Sequence, residues 1–203
     1  MMPTLARFRS LYETTTLPLG RFCLKLRLTP DMLTVTSLIC GGAAAFLIAR
    51  RAFLAGIVAM LLMGLFDVLD GATARAGNTA GPYGTVFDHV ADRYAEFLIM
   101  LGIMQSGAAD SGWAMFALFG MILASYVRAR AEATGLVASC NVGFAGRQEK
   151  LGLLMIGLAL QPLFPTLRPL NWFVIAVGIL SHVTALQRLF YARQTIKRAS
   201  EDC

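Results

Sequence analysis

Residues 52–75 read AFLAGIVAMLLMGLFDVLDGATAR, an apolar run that ends in two aspartates and an arginine. The run slightly exceeds the roughly 20 residues that an α-helix needs to cross a bilayer. Inserting an ionised carboxylate near the hydrocarbon costs on the order of 2.5–3.5 kcal/mol of free energy. Asp67 and Asp70 would therefore destabilise a membrane helix that had only a structural role. This stretch therefore predicts a membrane helix whose end carries a charged functional site.

Five further apolar blocks of similar length occur along the 203-residue chain. With 57% hydrophobic and only 15% charged residues, the chain is too apolar to hide its hydrophobic surface in one soluble core. The six predicted spans are Met32 to Ala49, Ala52 to Ala74, Thr85 to Gln105, Trp113 to Ala133, Lys150 to Leu167 and Leu170 to Leu189. The sequence thus predicts an all-α integral membrane protein, with residues 29–203 forming one six-helix membrane domain.

The basic residues predict how this domain is oriented. Residues 1–28 mix leucines and phenylalanines with five basic side chains, which is typical of an amphipathic helix in the membrane interface. If this segment is cytoplasmic, 15 of the 18 Lys and Arg residues lie on the cytoplasmic side. We therefore expect a multi-pass protein of the cell membrane with both termini and the active site facing the cytoplasm. The net charge of +6 needs no nucleic-acid partner, because the basic residues lie at the ends of apolar blocks.

Four carboxylates are predicted to converge at one end of the second and third spans. Asp67 and Asp70 are three positions apart on one helix face, and Asp88 and Asp92 are four apart on the next helix. The short turn between the two spans predicts that they are antiparallel neighbours. Oxygen ligands at this spacing suit hard cations, so the four carboxylates predict a site for two Mg²⁺ or Mn²⁺ ions. The alternative is an internal salt-bridge network with Arg75 and Arg93, which leaves a surplus of negative charge.

The whole segment resembles the signature of the CDP-alcohol phosphatidyltransferases, D-x2-D-G-x2-A-R-x8-G-x3-D-x3-D, at every defined position. The eight matching residues are Asp67, Asp70, Gly71, Ala74, Arg75, Gly84, Asp88 and Asp92, with every spacing kept and Ala74 and Arg75 adjacent. The resemblance implies transfer of a phosphatidyl group from a CDP-linked lipid, CDP-diacylglycerol or an ether analogue, to an alcohol with release of CMP. It also implies a homodimer surrounded by membrane lipids.

The same resemblance assigns roles to individual residues. It implies that Asp67, Asp70 and Asp88 hold the two ions, and that Asp92 lies near the second ion as the catalytic base. The residues that it places in the CDP-lipid pocket are Asp31, Thr34, Asp67, Gly71, Ala74, Arg75 and Gly84. Two ions in such a site neutralise a diphosphate and stabilise the departing CMP.

Further segments are similar to the branch of the family that makes phosphatidylinositol phosphate or its archaeal ether-lipid counterpart. They are residues 28–34, 125–132, 143–150 and 187–189. The resemblance implies that a basic cluster formed by Arg128, Arg147, Lys150 and Arg188 holds the phosphate of inositol phosphate. The chain departs from the branch at residues 146–150, GRQEK, where an acid followed by Arg-Pro-Glu-Arg is usual, and at residue 128, which is more often Lys.

Other functions remain open on the sequence alone. Glycerol 3-phosphate is the alternative acceptor, which would make the product phosphatidylglycerol phosphate. The basic cluster has a topological alternative, because Arg128, Lys150 and Arg188 could simply be positive-inside residues. A cation transporter with buried carboxylates is a different class of function. It is disfavoured because the acids lie at one membrane side, and the last two spans offer no acidic relay to the other face.

Overall fold

The computed structural model describes residues 9–201, with side chains from residue 15 to residue 200. In this part of the chain every regular element is helical, which confirms the predicted all-α class. The helices are α1 (Arg9–Lys25), α2 (Pro30–Ala49), α3 (Phe53–Ala76), α4 (Pro82–Ser106), α5 (Ser111–Glu132), α6 (Arg147–Leu160) and α7 (Pro169–Glu201), with a short 3-10 helix at Pro165–Leu167 before α7.

Four of the described helices are long and apolar enough to cross a membrane. They are α2, α3, α5 and α7, the last counted together with the 3-10 helix that precedes it. Helix α4 has 25 residues, but four charged side chains interrupt its first 15 residues. Helix α6 has only 14 residues, fewer than a span of about 20. The protein is therefore a membrane protein, while the count of six spans stays a prediction.

The fifth predicted span differs most from the structure. It was expected to run to Leu167, but α6 ends at Leu160, two residues before Pro162. Proline has no backbone N–H and cannot continue the helical hydrogen-bond ladder, which explains the early end. The next residue after the helix, Gln161, turns its side chain to α7 and accepts a hydrogen bond from Leu170 N at 3.2 Å.

Residues 8–107 form one compact unit, whose described helices are α1 to α4. Within it α2 packs against both α3 and α4, and α3 and α4 also meet where they carry Asp67, Asp88 and Asp92. Small residues permit the close approach of α2 and α4. A Cβ atom at Gly102 would lie 2.8 Å from Ala45 Cα, where no methyl group fits. Helix α2 is thus the surface on which the two carboxylate-bearing helices are arranged.

Helix α1 packs against α3 in the same unit. Its buried residues Thr16, Gly20 and Cys23 follow one helix face, whereas Leu19 and Phe22 are exposed. At Gly20 a Cβ atom would clash with the backbone carbonyl of Ala72, so α1 lies directly on the α3 backbone. The predicted helix is present over residues 9–25, and its location in the membrane interface stays a prediction.

The second compact unit is described over residues 108–201. In it α7 packs against α5 and α6. Asp110 caps the start of α5 by accepting hydrogen bonds from Gly112 N and Trp113 N. A loop of residues 133–146 joins α5 to α6.

Candidate active site

Three carboxylates from α3 and α4 come together in the unit of residues 8–107. One oxygen from each of Asp67, Asp88 and Asp92 lies within 4.8 Å of the others. The side chain of Asp92 is 13% exposed, and the other two residues are half-buried. Like charges this close repel strongly, and oxygen donors in this number suit a hard divalent cation. The chemistry of the donor set therefore fits Mg²⁺ or Mn²⁺, as the sequence predicted.

The fourth predicted ligand, Asp70, is held differently from the other three. Its Oδ2 atom accepts a hydrogen bond of 2.7 Å from Thr34 Oγ1, and both residues are buried. The Thr34 hydroxyl also lies 3.2 Å from the carbonyl oxygen of Pro30. Asp70 is thus tied to the first turn of α2, and it is not a member of the three-carboxylate group. The contact joins a predicted metal ligand, Asp70, to a predicted CDP-lipid residue, Thr34, whereas Asp31, in the same turn, is exposed.

Gly71 and Arg75 form a local arrangement at the end of α3. A Cβ atom at Gly71 would lie 3.1 Å from Arg75 Nη1, so the glycine lets the guanidinium lie against the helix. Arg75 Nη2 donates a hydrogen bond of 3.3 Å to Thr16 Oγ1 on α1. The space that Gly71 leaves is therefore occupied by the arginine four residues later.

The two remaining predicted CDP-lipid residues, Ala74 and Gly84, occupy different surroundings. Ala74 is half-buried on α3 next to Arg75. Gly84 lies in the first turn of α4, and a Cβ atom there would meet nothing within 4 Å. The open space at Gly84 leaves room for a ligand, and the packing of the protein itself does not require glycine at this position.

Helix α4 carries an ion pair beside the acidic group. Arg93 lies 2.8 Å from Glu96 Oε1 and 4.0 Å from Asp92 Oδ2, and Glu96 is only 1% exposed. The short contact of Arg93 is therefore with Glu96 and the longer one with Asp92. This arrangement differs from the salt-bridge alternative, in which Arg93 and Arg75 would neutralise the aspartates, since Arg75 instead donates to Thr16.

Of the predicted acceptor residues, Arg128 belongs to a small network in the unit of residues 108–203. Arg128 Nε donates a 3.0 Å hydrogen bond to Glu132 Oε1 one turn later on α5. The same oxygen accepts a 2.9 Å hydrogen bond from the backbone N–H of Cys140 in the loop. Glu132 thus joins one of the predicted phosphate-binding cations to the loop that precedes α6.

Arg188 on α7 holds the same loop from the other side. Its Nε atom donates to the carbonyl oxygen of Val142 at 3.0 Å, and Nη1 donates to the carbonyl oxygen of Ala124 at 2.7 Å. Cys140 Sγ lies 3.7 Å from the carbonyl oxygen of Arg188. Arg128 and Arg188 therefore anchor one loop, and Arg188 connects α7, the loop and α5.

The other two predicted acceptor residues lie in the first turn of α6. Lys150 is buried, at 4% exposed, and Arg147 is half-buried. A buried ammonium group is costly unless anionic or polar partners surround it, so Lys150 is unlike an ordinary positive-inside lysine. All four predicted acceptor residues belong to the unit that the structure describes over residues 108–201, which is a condition for a common phosphate site.

Sequence reasoning missed three residues that organise these sites. Thr16 accepts from Arg75, Glu96 pairs with Arg93, and Glu132 joins Arg128 to the loop. The two glutamates could have been identified from the sequence, because each lies three or four positions from its arginine and so shares its helix face. Thr16 could not have been identified in this way, since it lies 59 residues from Arg75 and helical periodicity does not predict which helices meet.

The chain is similar to known proteins over most of its length. The sequence profile of the CDP-alcohol phosphatidyltransferase family matches residues 27–187. Archaetidylinositol phosphate synthase from Methanothermobacter thermautotrophicus is 32% identical over 178 residues, which cover 85% of this chain and 87% of that protein. Phosphatidylinositol phosphate synthase from Mycobacteroides abscessus is 31% identical over 192 residues, covering 91% of this chain and 86% of that protein.

Two solved structures of Mycobacterium tuberculosis phosphatidylinositol phosphate synthase have a similar fold. One has CDP-DAG bound and matches with a TM-score of 0.78 at 29% identity, covering 87% of this chain and 92% of that chain. The other is a complex with manganese and citrate, with the same TM-score and identity and with 87% and 88% of the two chains covered.

Proposed function

The chain belongs to the CDP-alcohol phosphatidyltransferase family, and we propose that it transfers a phosphatidyl group from a CDP-linked lipid to inositol phosphate, releasing CMP. It is thus an enzyme of phospholipid synthesis. The observation that carries the proposal is the group of Asp67, Asp88 and Asp92, whose oxygens lie within 4.8 Å of one another at the family's motif positions. No packing requirement explains three half-buried carboxylates so close together.

In this proposal Asp67, Asp70 and Asp88 hold two Mg²⁺ or Mn²⁺ ions, with Asp92 near the second. When bound, the ions neutralise the diphosphate of the CDP-lipid and polarise the phosphorus under attack. Manganese in the complex of the M. tuberculosis relative supports this assignment. The hydrogen bond from the Thr34 hydroxyl to Oδ2 orients the Asp70 carboxylate.

The chain's own residues perform the remaining steps. Asp92 accepts the proton of the acceptor hydroxyl, whose oxygen then bonds to the phosphorus on the lipid side of the diphosphate. The bridging P–O bond breaks, and CMP leaves with the electron pair. Arg75, whose guanidinium lies in the space left by Gly71, binds the diphosphate, and Gly84 leaves room for the CDP-lipid.

The acceptor assignment is supported by the basic residues of the second unit. Arg128, Arg147, Lys150 and Arg188 supply cations from three helices, which suits a dianionic phosphate. The relatives from M. thermautotrophicus and M. abscessus are both named as inositol phosphate-type synthases, which supports inositol phosphate as the acceptor. Homodimer formation and a cytoplasmic active site are part of the same proposal.

One assay tests the proposal directly. Purified enzyme with CDP-diacylglycerol and Mn²⁺ is given inositol phosphate, free inositol, glycerol 3-phosphate or serine in parallel, and CMP release and the lipid product are measured. We expect CMP release with inositol phosphate and loss of activity on chelation of the metal. A preference for glycerol 3-phosphate would identify the alternative product, and a preference for free inositol or serine would contradict a phosphate-binding cluster.

A further inference from the structure

The orientation of the Arg75 guanidinium is fixed by two groups outside its own side chain. Nη2 donates to the Thr16 hydroxyl at 3.3 Å, and Nη1 lies against the helix where Gly71 has no Cβ atom. Nε is buried and has no hydrogen-bond partner among the residues that the structure describes. The planar guanidinium carries its five donors in a rigid fork, so fixing one edge also fixes the direction of the remaining N–H groups.

Thr16 itself is held in place by the packing of α1. It is 7% exposed, and one turn later Gly20 brings α1 onto the backbone of Ala72 and Thr73, immediately before Ala74 and Arg75. A Cβ atom at Gly20 would lie 2.9 Å from Thr73 N. The Thr16 hydroxyl therefore stands on a helix that cannot easily shift relative to the end of α3.

We propose that Thr16 is a positioning residue, whose hydroxyl holds the Arg75 guanidinium in the orientation that binds the diphosphate of the CDP-lipid. The inference rests on the proposed function, in which Arg75 is the diphosphate ligand. It assigns to α1 a role in binding the donor substrate in addition to its predicted contact with the membrane interface. An arginine without this contact regains rotamer freedom, which binding must then remove at a cost in affinity.

The test compares Thr16→Val, which keeps the side-chain shape and removes the hydroxyl, with Thr16→Ser, which keeps the hydroxyl. We expect Thr16→Val to raise the KM and the Kd for CDP-diacylglycerol about threefold to thirtyfold, the range for immobilising one long side chain on binding. The KM for the acceptor should stay unchanged, and Thr16→Ser should restore donor affinity. Thr16→Ala is a second variant without the hydroxyl, in case valine disturbs the packing of α1.

Thr15→Val is the matched control, because the same chemical exchange is made at the neighbouring, exposed position. A double-mutant cycle with Arg75→Gln separates positioning from general stability. If Thr16 acts through Arg75, Thr16→Val should weaken donor binding no further in the Arg75→Gln background. Additive effects, an unchanged donor Kd in folded Thr16→Val and Thr16→Ala, or equal effects of Thr15→Val would overturn the inference.

Measuring binding as well as turnover separates this inference from the proposed function. The donor Kd is measured in the presence of Mn²⁺ without acceptor. Wild-type enzyme that binds CDP-diacylglycerol but releases no CMP with any acceptor would overturn the proposed function. In that case the donor Kd values of the Thr16→Val and Arg75→Gln double-mutant cycle would still test the role of Thr16. Wild-type enzyme that does not bind CDP-diacylglycerol would overturn both.

Discussion

At the scale of single residues, the group of Asp67, Asp88 and Asp92 leads to the most specific prediction. Asp67 and Asp88 each contribute an oxygen to a cluster whose members lie within 4.8 Å. Replacing either by Asn removes an anionic ligand and keeps the side-chain shape. We expect Asp67→Asn and Asp88→Asn, made separately, to abolish transfer and to weaken Mn²⁺ binding measured by calorimetry.

The matched control for these two variants is Asp110→Asn. Asp110 lies in the other unit and caps α5 through Oδ1, and an asparagine Oδ1 can accept the same two hydrogen bonds. This variant should keep both activity and Mn²⁺ affinity. Full activity in Asp67→Asn or Asp88→Asn would eliminate the metal site as described.

Asp92 differs from its neighbours in its proposed role, although all three carboxylates share one cluster. A base that accepts a proton from the acceptor hydroxyl typically contributes about 10²- to 10⁴-fold to the rate. Asp92→Asn should therefore lower kcat by that order while the Kd of CDP-diacylglycerol changes little. Single-turnover kinetics and donor binding would be measured together, and an equal loss of donor affinity would make Asp92 mainly a metal ligand.

The predicted acceptor cations are tested one at a time with inositol phosphate as the varied substrate. Arg128→Gln and Lys150→Gln each remove a charge-assisted contact of roughly 1.5–3 kcal/mol, which corresponds to an acceptor KM raised about tenfold to a hundredfold. Arg188→Gln should raise the acceptor KM and also lower the Tm, because Arg188 donates to two carbonyl oxygens.

Arg130→Gln serves as the control for this series, since Arg130 is exposed on α5 only two residues after Arg128. Its acceptor KM should match that of the wild type, and the KM for CDP-diacylglycerol should stay constant in every variant. If the acceptor KM is unchanged in Arg128→Gln, Lys150→Gln and Arg188→Gln, these residues serve topology and loop anchoring, and the acceptor site lies elsewhere.

At the scale of elements, the loop of residues 133–146 is fixed from both sides by charged groups. Burial raises the pKa of the Cys140 thiol in this loop above its ordinary value, Arg188 opposes the rise and Glu132 adds to it. Only the thiolate reacts with maleimides, so a raised pKa leaves less reactive thiolate at neutral pH. In a variant whose other three cysteines are replaced, labelling of Cys140 should be slow at pH 7 and should accelerate at a higher pH than for an ordinary thiol.

Glu132→Ala should accelerate this labelling at pH 7 for two reasons. The change removes the acceptor of the Cys140 N–H bond, which loosens the loop, and it removes a negative charge that raises the thiol pKa. Thr134→Ala, which alters a hydroxyl bonded to the helix-terminal carbonyl of Ala131, is the comparison within the same loop. Equal labelling rates in Glu132→Ala and the parent would show that Glu132 does not hold the loop.

The elements also show which information the sequence carries. Helix ends were predictable where a single residue determines them, and Pro162 could have predicted the early end of α6. Helix faces were predictable from spacing, and Asp88 and Asp92 are half-buried beside Asp67 as expected. How extensively each pair of helices packs was not predictable, since α2 makes broad contacts with both α3 and α4. Such contacts depend on how small residues such as Gly102 fit a distant helix.

At the scale of the whole molecule, the length of α7 constrains the membrane topology. Helix α7 has 33 residues, and at about 1.5 Å per residue it is about 50 Å long, well beyond a hydrocarbon core of about 30 Å. Its first turns contain the exposed Trp172, and its second half carries Arg188, Arg193, Lys197 and Arg198. The positive-inside rule and the helix length together predict that this second half extends from the membrane into the cytoplasm.

Cysteine accessibility tests this topology. In a background without the four native cysteines, we expect Trp172→Cys to react with a membrane-impermeant maleimide in intact cells. Arg193→Cys should react only after permeabilisation, because it lies beyond the apolar part of α7 on the cytoplasmic side. Both positions are exposed in the structure, so a difference in labelling reports the side of the membrane and not burial. The reverse pattern would place the basic end of α7 outside the cell, where no cytoplasmic inositol phosphate reaches it, and would contradict the proposed acceptor site together with the topology.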